Sequence, residues 1–160
     1  SEIISKAIKD GKTLFFCGNG GSASDSEHLA AEFIGRFKFN RPPLKALSLA
    51  SNTSILTCIS NDFGFDDVFS RQLEGLSKKN DVLIAISTSG KSKNIINSLK
   101  MANKLNTKTI TLLGCNGGDA KQYSDLPIIV QSNDTARIQE MHILIGHIIC
   151  ELIEKKLGYE

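Results

Sequence analysis

Residues 13–24 read TLFFCGNGGSAS, a short apolar run that passes directly into glycine and serine. Four more runs of similar length and character follow it along the chain, at residues 46–49, 82–86, 109–113 and 128–131. Most are apolar on both faces, and several are rich in β-branched residues. Such runs are typical of strands buried on both sides of a parallel sheet. The opening stretch therefore predicts the first of five parallel strands.

Segments with helical periodicity separate the predicted strands, and they cover residues 22–37, 65–76, 92–105 and 135–157. Strands that alternate with helices predict an α/β fold, a doubly wound sheet flanked by helices with right-handed crossovers. No internal repeat, linker or low-complexity stretch interrupts the pattern, so we expect residues 1–160 to form a single domain. The last predicted helix carries a wider apolar stripe than one sheet face needs, which indicates contact with another subunit.

The composition excludes several classes of protein. Apolar residues make up 41% of the 160-residue chain and charged residues 22%, a balance typical of globular proteins. The formal net charge is only +2, and no basic cluster indicates nucleic-acid binding. Because the sequence shows neither a membrane span of about 20 apolar residues nor a signal peptide, we expect a cytoplasmic protein that does not bind membranes. Four cysteines, none at metal-motif spacing, are predicted to be buried thiols: Cys17, Cys58, Cys115 and Cys150.

The glycine-rich turn at residues 18–23 connects the first strand to a helix. Glycine lets a backbone approach an anion closely, and the N–H groups of a helix start attract negative charge. The order Gly18-x-Gly20-x-x-Ala23 also fits the dinucleotide fingerprint, which requires an acidic residue at the end of the second strand. No acidic residue follows that strand until Asp62. The turn therefore predicts an anion site without a nucleotide cofactor, and a purely geometric turn is the alternative.

The loop after the third predicted strand is rich in hydroxyl groups. Ligands of open α/β sheets bind at the carboxyl ends of the strands, where this loop lies. Four hydroxyls and several N–H groups at a helix start form a phosphate cradle. A nucleotide-binding P-loop requires glycine where Ala85 stands, so an ATPase is not supported. The hydroxyl-bearing residues are Ser87, Thr88, Ser89 and Ser92.

Two predicted helices carry side chains suited to proton transfer or metal binding. His28 and Glu32 are four residues apart and therefore share one helix face. The last helix offers Gln139, His142 and His147. On a helical wheel, Gln139 and His147 lie about 80° apart, and His142 lies about 140° from His147. Geometry alone leaves open which histidine accompanies Gln139, and packing against the core or an interface is the interpretation we favour for His142.

Five motifs in this order closely resemble the phosphoheptose isomerases, a family of the sugar-isomerase (SIS) domain superfamily. The likeness covers nearly the whole chain, although the family usually has an N-terminal helical segment that we expect to be largely absent here. The motifs are Gly18-Asn19-Gly20-Gly21-Ser22, His28-Leu29-Ala30-Ala31-Glu32, Asn61-Asp62-Phe63-Gly64, Ser87-Thr88-Ser89-Gly90 and Arg137-Ile138-Gln139-Glu140-Met141-His142.

The resemblance implies an aldose–ketose isomerase that converts sedoheptulose 7-phosphate to D-glycero-D-manno-heptose 7-phosphate through an enediol(ate). This is the first step of nucleotide-activated heptose synthesis for bacterial surface polysaccharide. The resemblance also implies a homotetramer with active sites between subunits, and Glu32 and His147 as the catalytic pair. The implied ligands of one zinc ion per site are His28, Glu32, Gln139 and His147. The implied substrate contacts are Asn19, Gly20, Gly21, Glu32, Asn61, Asp62, Ser87, Thr88, Ser89, Ser92 and Gln139.

Two non-catalytic SIS proteins are the alternatives: an adaptor that binds the bacterial replication initiator, and a sugar-phosphate sensor. The adaptor lacks the carboxylate at the position of Glu32 and the histidine at the position of His147, whereas this chain has both. A sensor would leave the implied zinc ligands without a role. The sequence therefore favours the enzyme.

Overall fold

A five-stranded sheet forms the centre of the computed structural model, which describes residues 1–159. Its strands are β1 Leu14–Gly18, β2 Ala46–Ser48, β3 Val82–Ser87, β4 Lys108–Gly114 and β5 Leu126–Val130. They stand in the order β2-β1-β3-β4-β5, and each neighbouring pair is parallel. The predicted α/β fold with a five-stranded parallel sheet is confirmed.

Helices connect the strands on both faces of the sheet. They are α1 Glu2–Lys9, α2 Gly21–Ile34, α3 Thr53–Asp62, α4 Ser70–Leu76, α5 Lys93–Lys104 and α6 Thr135–Lys156. Short 3-10 turns occur at Phe65–Asp67 and Asp119–Tyr123. Asp134 caps α6 by accepting a hydrogen bond from the amide of Ala136 at 2.9 Å.

Each face of the sheet has its own apolar core. Phe16 and Ile84 pack on one face with apolar residues of α1, α2 and α6. Phe15 and Leu83 pack on the opposite face with residues of α3, α4 and α5. Because successive strand residues point to opposite faces, a strand covered on both sides favours apolar residues at successive positions, as in residues 14–17 and 82–86.

Two helices, α1 and α3, lie where the sequence pattern predicts none. Of the ten residues of α3, only Ile59 is buried, so the helix gives almost no apolar periodicity. Its start is fixed by a cap instead, because Oδ1 of Asn52 accepts a hydrogen bond from the amide of Ile55 at 3.0 Å. The helix predicted over residues 65–76 begins later than expected, because a 3-10 turn precedes Ser70.

The prediction of four buried thiols is confirmed at Cys17 and Cys150, only partly met at Cys115 and wrong at Cys58. Cys17 and Cys150 are buried and Cys115 is half-buried, but Cys58 is exposed. The reason is the shallow contact of α3 with the sheet. Cys58 precedes Ile59, the buried residue of that helix, and consecutive helix residues point about 100° apart.

The apolar stripe of α6 is buried on one side and exposed on the other. Ile138 and Ile153 lie in or beside the core at 1% and 0% exposure. An outer stripe of four side chains, between 41% and 48% exposed, consists of Met141, Leu144, Ile148 and Leu152. Steps of three and four residues place these side chains on one helix face. Within residues 1–159, no helix is long and apolar enough to cross a membrane.

Candidate active site

The order of the strands reverses at β1, because β2 lies on one side of it and β3 on the other. Open α/β sheets bind ligands outside the carboxyl ends of the strands at such a switch point. Gly18 at the end of β1 is in register with Ile86 near the end of β3. The glycine-rich turn and the serine-rich loop therefore leave the sheet side by side.

Two side-chain amides hold these loops together. Nδ2 of Asn19 donates to Oδ1 of Asn94 at 2.9 Å, and Nδ2 of Asn94 donates to Oδ1 of Asn19 at 2.8 Å. Asn94 is 2% exposed and lies in the first turn of α5. This reciprocal pair fixes the glycine-rich turn against the start of α5. The two predicted anion-binding elements, the glycine-rich turn and the serine-rich loop, therefore lie next to each other.

Two of the predicted hydroxyl groups shape the serine-rich loop. Oγ of Ser87 accepts a hydrogen bond from the amide of Gly90 at 3.1 Å, and Oγ of Ser89 accepts one from Lys91 at 3.2 Å. Ser92 stands at the N-cap of α5, where its side chain caps no amide of the described chain. The Ser92 hydroxyl is thus available to an anion at the helix start.

An open cleft of about 690 Å³ adjoins the serine-rich loop, a size typical of small-molecule sites. It lies at the carboxyl ends of β3, β4 and β5, and Lys91 adds a positive charge to its wall. The cleft is lined by Ser89, Lys91, Cys115, Asn116, Gln131, Ser132 and Asn133.

Asn61 and Asp62 lie at the exposed end of α3, where Nδ2 of Asn61 donates to Oδ1 of Asp62 at 2.8 Å. The next turn is tied to α5. The carbonyl of Asp66 accepts a hydrogen bond from Asn97 at 3.1 Å, and its carboxylate lies 3.8 Å from Nζ of Lys93. These contacts hold the segment that follows Asp62 beside the first turns of α5.

Gln139 lies against the glycine-rich turn. A Cβ atom added at Gly21 would collide with the side-chain amide of Gln139. His147 follows eight residues later, about 12 Å further along α6. The structure thus brings Gln139 to one of its predicted fellow substrate contacts, Gly21, rather than to His147 of its own chain. Its role as a zinc ligand stays a prediction.

His28, Glu32 and His147 converge where α2 packs beside α6. The Nε2 atoms of His28 and His147 are 2.9 Å apart, and Nε2 of His28 lies 3.5 Å from Oε1 of Glu32. One ligand atom from each of the three lies within 4.8 Å of the others. Two imidazole nitrogens and a carboxylate oxygen form a donor set that zinc prefers, and three protein ligands leave one position open. The residues present therefore fit a catalytic zinc site.

Phe37 and Asp25 border this cluster. The ring of Phe37 stacks on His147, with centroids 5.4 Å apart and an interplanar angle of 28°. Asp25 lies one turn before His28 and is 9% exposed, and its Oδ2 atom has no hydrogen-bond partner among residues 1–159. Burial raises the pKa of Asp25, and the positive charges that His28 and His147 can carry oppose this effect.

His142 does not join the cluster. It is 0% exposed on the core side of α6, in agreement with the packing role predicted for it. Burial lowers the pKa of His142, and a contact with the backbone of Leu113 offsets the effect only in part. His147 is the histidine that faces His28 and Glu32, whereas Gln139 of the same chain has neither histidine beside it at the glycine-rich turn.

The family model of the SIS domain matches residues 1–114, which contain β1 to β4 and both predicted anion-binding loops. The chain therefore belongs to the SIS domain family.

Individual relatives show to which group of SIS domain proteins this chain belongs. A phosphoheptose isomerase of Nitratiruptor sp. is 54% identical over 155 residues, which cover 97% of this chain and 83% of the relative. One from Akkermansia muciniphila is 48% identical over 157 residues, covering 98% and 83%. The structure of the phosphoheptose isomerase of Neisseria gonorrhoeae aligns with a TM-score of 0.91 and 41% identity over 96% of this chain and 82% of that one. Within the SIS domain family, the chain is a member of the phosphoheptose isomerases.

Several residues around the site were not predicted. Asp25 precedes His28 by three residues, so helical spacing places it near a predicted site residue. The glycine-rich turn gave no indication of Asn94, which comes from another element. The sequence predicts Phe37 as the end of a helix over residues 22–37, but α2 ends at Ile34, and Phe37 lies with Arg41 in an irregular segment.

Proposed function

We propose that this protein is an aldose–ketose isomerase that interconverts sedoheptulose 7-phosphate and D-glycero-D-manno-heptose 7-phosphate. The convergence of His28, Glu32 and His147 from α2 and α6 is the observation that carries the proposal. It joins proton carriers and metal ligands in a protein whose relatives are named phosphoheptose isomerases. The product would enter the synthesis of nucleotide-activated heptose. Because sugar phosphates are metabolites of the cell interior, the proposed location is the cytoplasm.

The reaction moves a carbonyl group between C2 and C1. A base must remove a proton from the carbon beside the carbonyl and return it to the former carbonyl carbon, while the carbonyl oxygen gains a proton and the neighbouring hydroxyl group loses one. Glu32 acts as the base, and His147 exchanges the proton at the substrate oxygen. The side chain of Glu32 is 22% exposed, so it combines access to substrate with partial shielding from water.

His28, Glu32 and His147 would hold one zinc ion, which when bound supplies a positive charge that polarises the substrate carbonyl and favours the enediolate. We assign Gln139 to the cluster of a neighbouring subunit. Its own His147 lies about 12 Å away along α6, whereas its amide reaches the glycine-rich turn of its own chain.

The substrate phosphate would lie at the switch point. Ser87, Thr88, Ser89 and Ser92 would surround it at the start of α5, and the amides of Gly20 and Gly21 would face it from the turn that follows β1. The remaining contacts in this proposal come from Asn19, Asn61, Asp62 and Gln139. The reciprocal pair of Asn19 and Asn94, which holds the two loops together, supports this assignment.

A homotetramer would complete the sites. The outer stripe of α6 is apolar and exposed, which favours packing against other copies of the chain. His147 precedes Ile148 of this stripe, so a helix packed there would lie close to the cluster. The non-catalytic adaptor and sensor are less well supported, because neither requires Glu32 and His147 to meet.

A coupled assay with sedoheptulose 7-phosphate tests the proposal. The metal-free protein should be inactive, and one equivalent of zinc per chain should restore turnover. A second arm measures phosphate or substrate binding by calorimetry. Substrate binding without turnover at any zinc concentration would identify a sensor and exclude the isomerase.

A further inference from the structure

A buried ion pair joins α6 to the segment that follows α2. Nε of Arg41 donates to Oε1 of Glu154 at 2.8 Å, and both side chains are 2% exposed. Buried ion pairs are often no more stable than apolar replacements, because both charges lose their hydration. The pair therefore indicates a requirement for defined geometry.

Glu154 also binds the backbone of this segment. Its carboxylate accepts hydrogen bonds from the amides of Phe37 at 3.1 Å, Lys38 at 2.9 Å and Phe39 at 3.3 Å. Burial raises the pKa of Glu154, but the amides of Lys38 and Phe37 and the Arg41 guanidinium together lower it below its ordinary value. The carboxylate is thus fully satisfied and stays charged.

Arg41 extends the same network to Glu32. Its Nη2 donates to the carbonyl of Glu32 at 2.7 Å, and its Nη1 donates to that of Phe33 at 2.9 Å. These carbonyls belong to the last turn of α2, where helix carbonyls lack partners in the helix itself. Arg41 therefore caps α2 at the residue that carries the proposed base.

The other end of the network reaches His147. Glu154 holds the amide of Phe37, and the ring of Phe37 stacks on the imidazole of His147. We propose that Arg41, Glu154 and Phe37 are positioning residues: they fix Glu32 from its backbone and His147 from its ring face, so that both meet the substrate in one arrangement. This inference rests on the proposed isomerase function, and none of the three residues need touch the substrate.

Four variants test the proposal in the chain of residues 1–160. Phe37→Leu removes the stacked ring but keeps apolar bulk, and Phe37→Tyr keeps the ring. Glu154→Gln removes the charge at nearly constant size. The matched control is Glu151→Gln, because Glu151 forms an exposed ion pair with Lys38 at 2.7 Å between the same two elements, and its carboxylate makes no hydrogen bond or ion pair with the side chain of Glu32 or His147.

We expect Phe37→Leu and Glu154→Gln to lower kcat roughly 10- to 100-fold, since a small displacement of reacting groups has effects of this size. KM should stay within about twofold of the wild-type value, because the proposed phosphate-binding loops follow β1 and β3 and neither substitution lies in them. Phe37→Tyr and Glu151→Gln should retain wild-type kcat. Equal turnover of wild type, Phe37→Leu and Glu154→Gln would overturn the proposal, as would losses that vanish when corrected for the folded fraction. If Glu154→Gln does not fold, the kcat of Phe37→Leu alone decides whether the proposal stands.

Imidazole nitrogen NMR provides a readout that does not depend on turnover. The chain has three histidines, so the signals of His147 can be assigned by substitution. Phe37→Leu and Glu154→Gln should both shift the His147 signals, whereas the signals of buried His142 should report an intact fold. Unchanged His147 signals in Glu154→Gln would overturn the proposal even if the wild-type protein lacked isomerase activity. That lack of activity would instead reject the proposed function.

Discussion

The Nε2 atoms of His28 and His147 lie 2.9 Å apart, although 119 positions separate the two residues in the chain. Their neighbours explain the close approach. Gly146 packs on Leu29, and a Cβ atom at Gly146 would lie 2.6 Å from Cδ2 of Leu29. The missing side chain thus lets α6 lie close enough to α2 for the two imidazoles to meet.

Gly146→Ala should therefore weaken both the fold and the proposed metal site. Overpacking typically costs 1–3 kcal/mol, which exceeds the gain of up to about 1 kcal/mol from replacing a helical glycine. We expect a net loss in the free energy of unfolding and at least tenfold weaker zinc binding, measured by denaturation and by competition with a chromophoric chelator. The control is Gly75→Ala on α4, where a Cβ meets nothing within 4 Å and stability should rise. Equal changes in the free energy of unfolding and in zinc binding for Gly146→Ala and Gly75→Ala would contradict this account.

Glu32→Gln should abolish most of the turnover. The amide keeps the size of the carboxylate but is not a base, so kcat should fall about 10²–10⁴-fold, the usual contribution of such a group. KM should change little, because the phosphate contacts remain. Steady-state kinetics of the zinc-loaded protein measure both constants, with exposed Glu27→Gln on the same helix as the control. Near-wild-type turnover by folded Glu32→Gln would remove Glu32 from the mechanism.

Much of this architecture could be predicted from the sequence, because burial on both faces leaves continuous apolar runs such as residues 82–86. The helix α3 could not, since a helix that buries only Ile59 leaves no periodic trace. The pairing of His28 with Glu32 follows from local helix spacing. The choice between His142 and His147 required the packing of α6 on α2, which the helical wheel does not contain. Phe37 and Arg41 lie in an irregular segment, and their roles depend on distant Glu154.

Buried His142 should make stability fall in mildly acidic solution. Burial lowers its pKa in the folded state below the value near 6.5 of an unfolded histidine. Between these two pKa values the unfolded chain binds the extra proton, so the free energy of unfolding decreases as pH drops below about 6.5, by at most about 1.4 kcal/mol per pH unit. At higher pH, His142 is neutral in both the folded and the unfolded chain, so it no longer changes the free energy of unfolding.

Urea denaturation between pH 5 and 7.5 measures this dependence. His142→Leu, which removes the titrating group at similar volume, should show a flatter pH profile than the wild type. The comparison isolates His142, because His28 and His147 are present in both proteins. Parallel profiles would show that His142 does not control the acid sensitivity.

Mixed oligomers test whether each active site combines two subunits. In the proposed arrangement, Gln139 and the phosphate loops of one chain act with His28, Glu32 and His147 of another. Gln139→Ala and Glu32→Gln should then each give an inactive or weakly active protein. When the two variants are unfolded together and refolded as a mixture, some sites combine an intact Gln139 with an intact Glu32. These sites should restore up to about a quarter of wild-type kcat, because random assembly combines an intact Gln139 with an intact Glu32 in one site of four.

The control mixes Glu32→Gln with His147→Asn. These residues act in the same cluster of one chain, so every site retains one defect and activity should stay low. Lack of recovery in the first mixture, with mixed oligomers verified by native mass spectrometry, would place Gln139 and Glu32 of the same chain in one site.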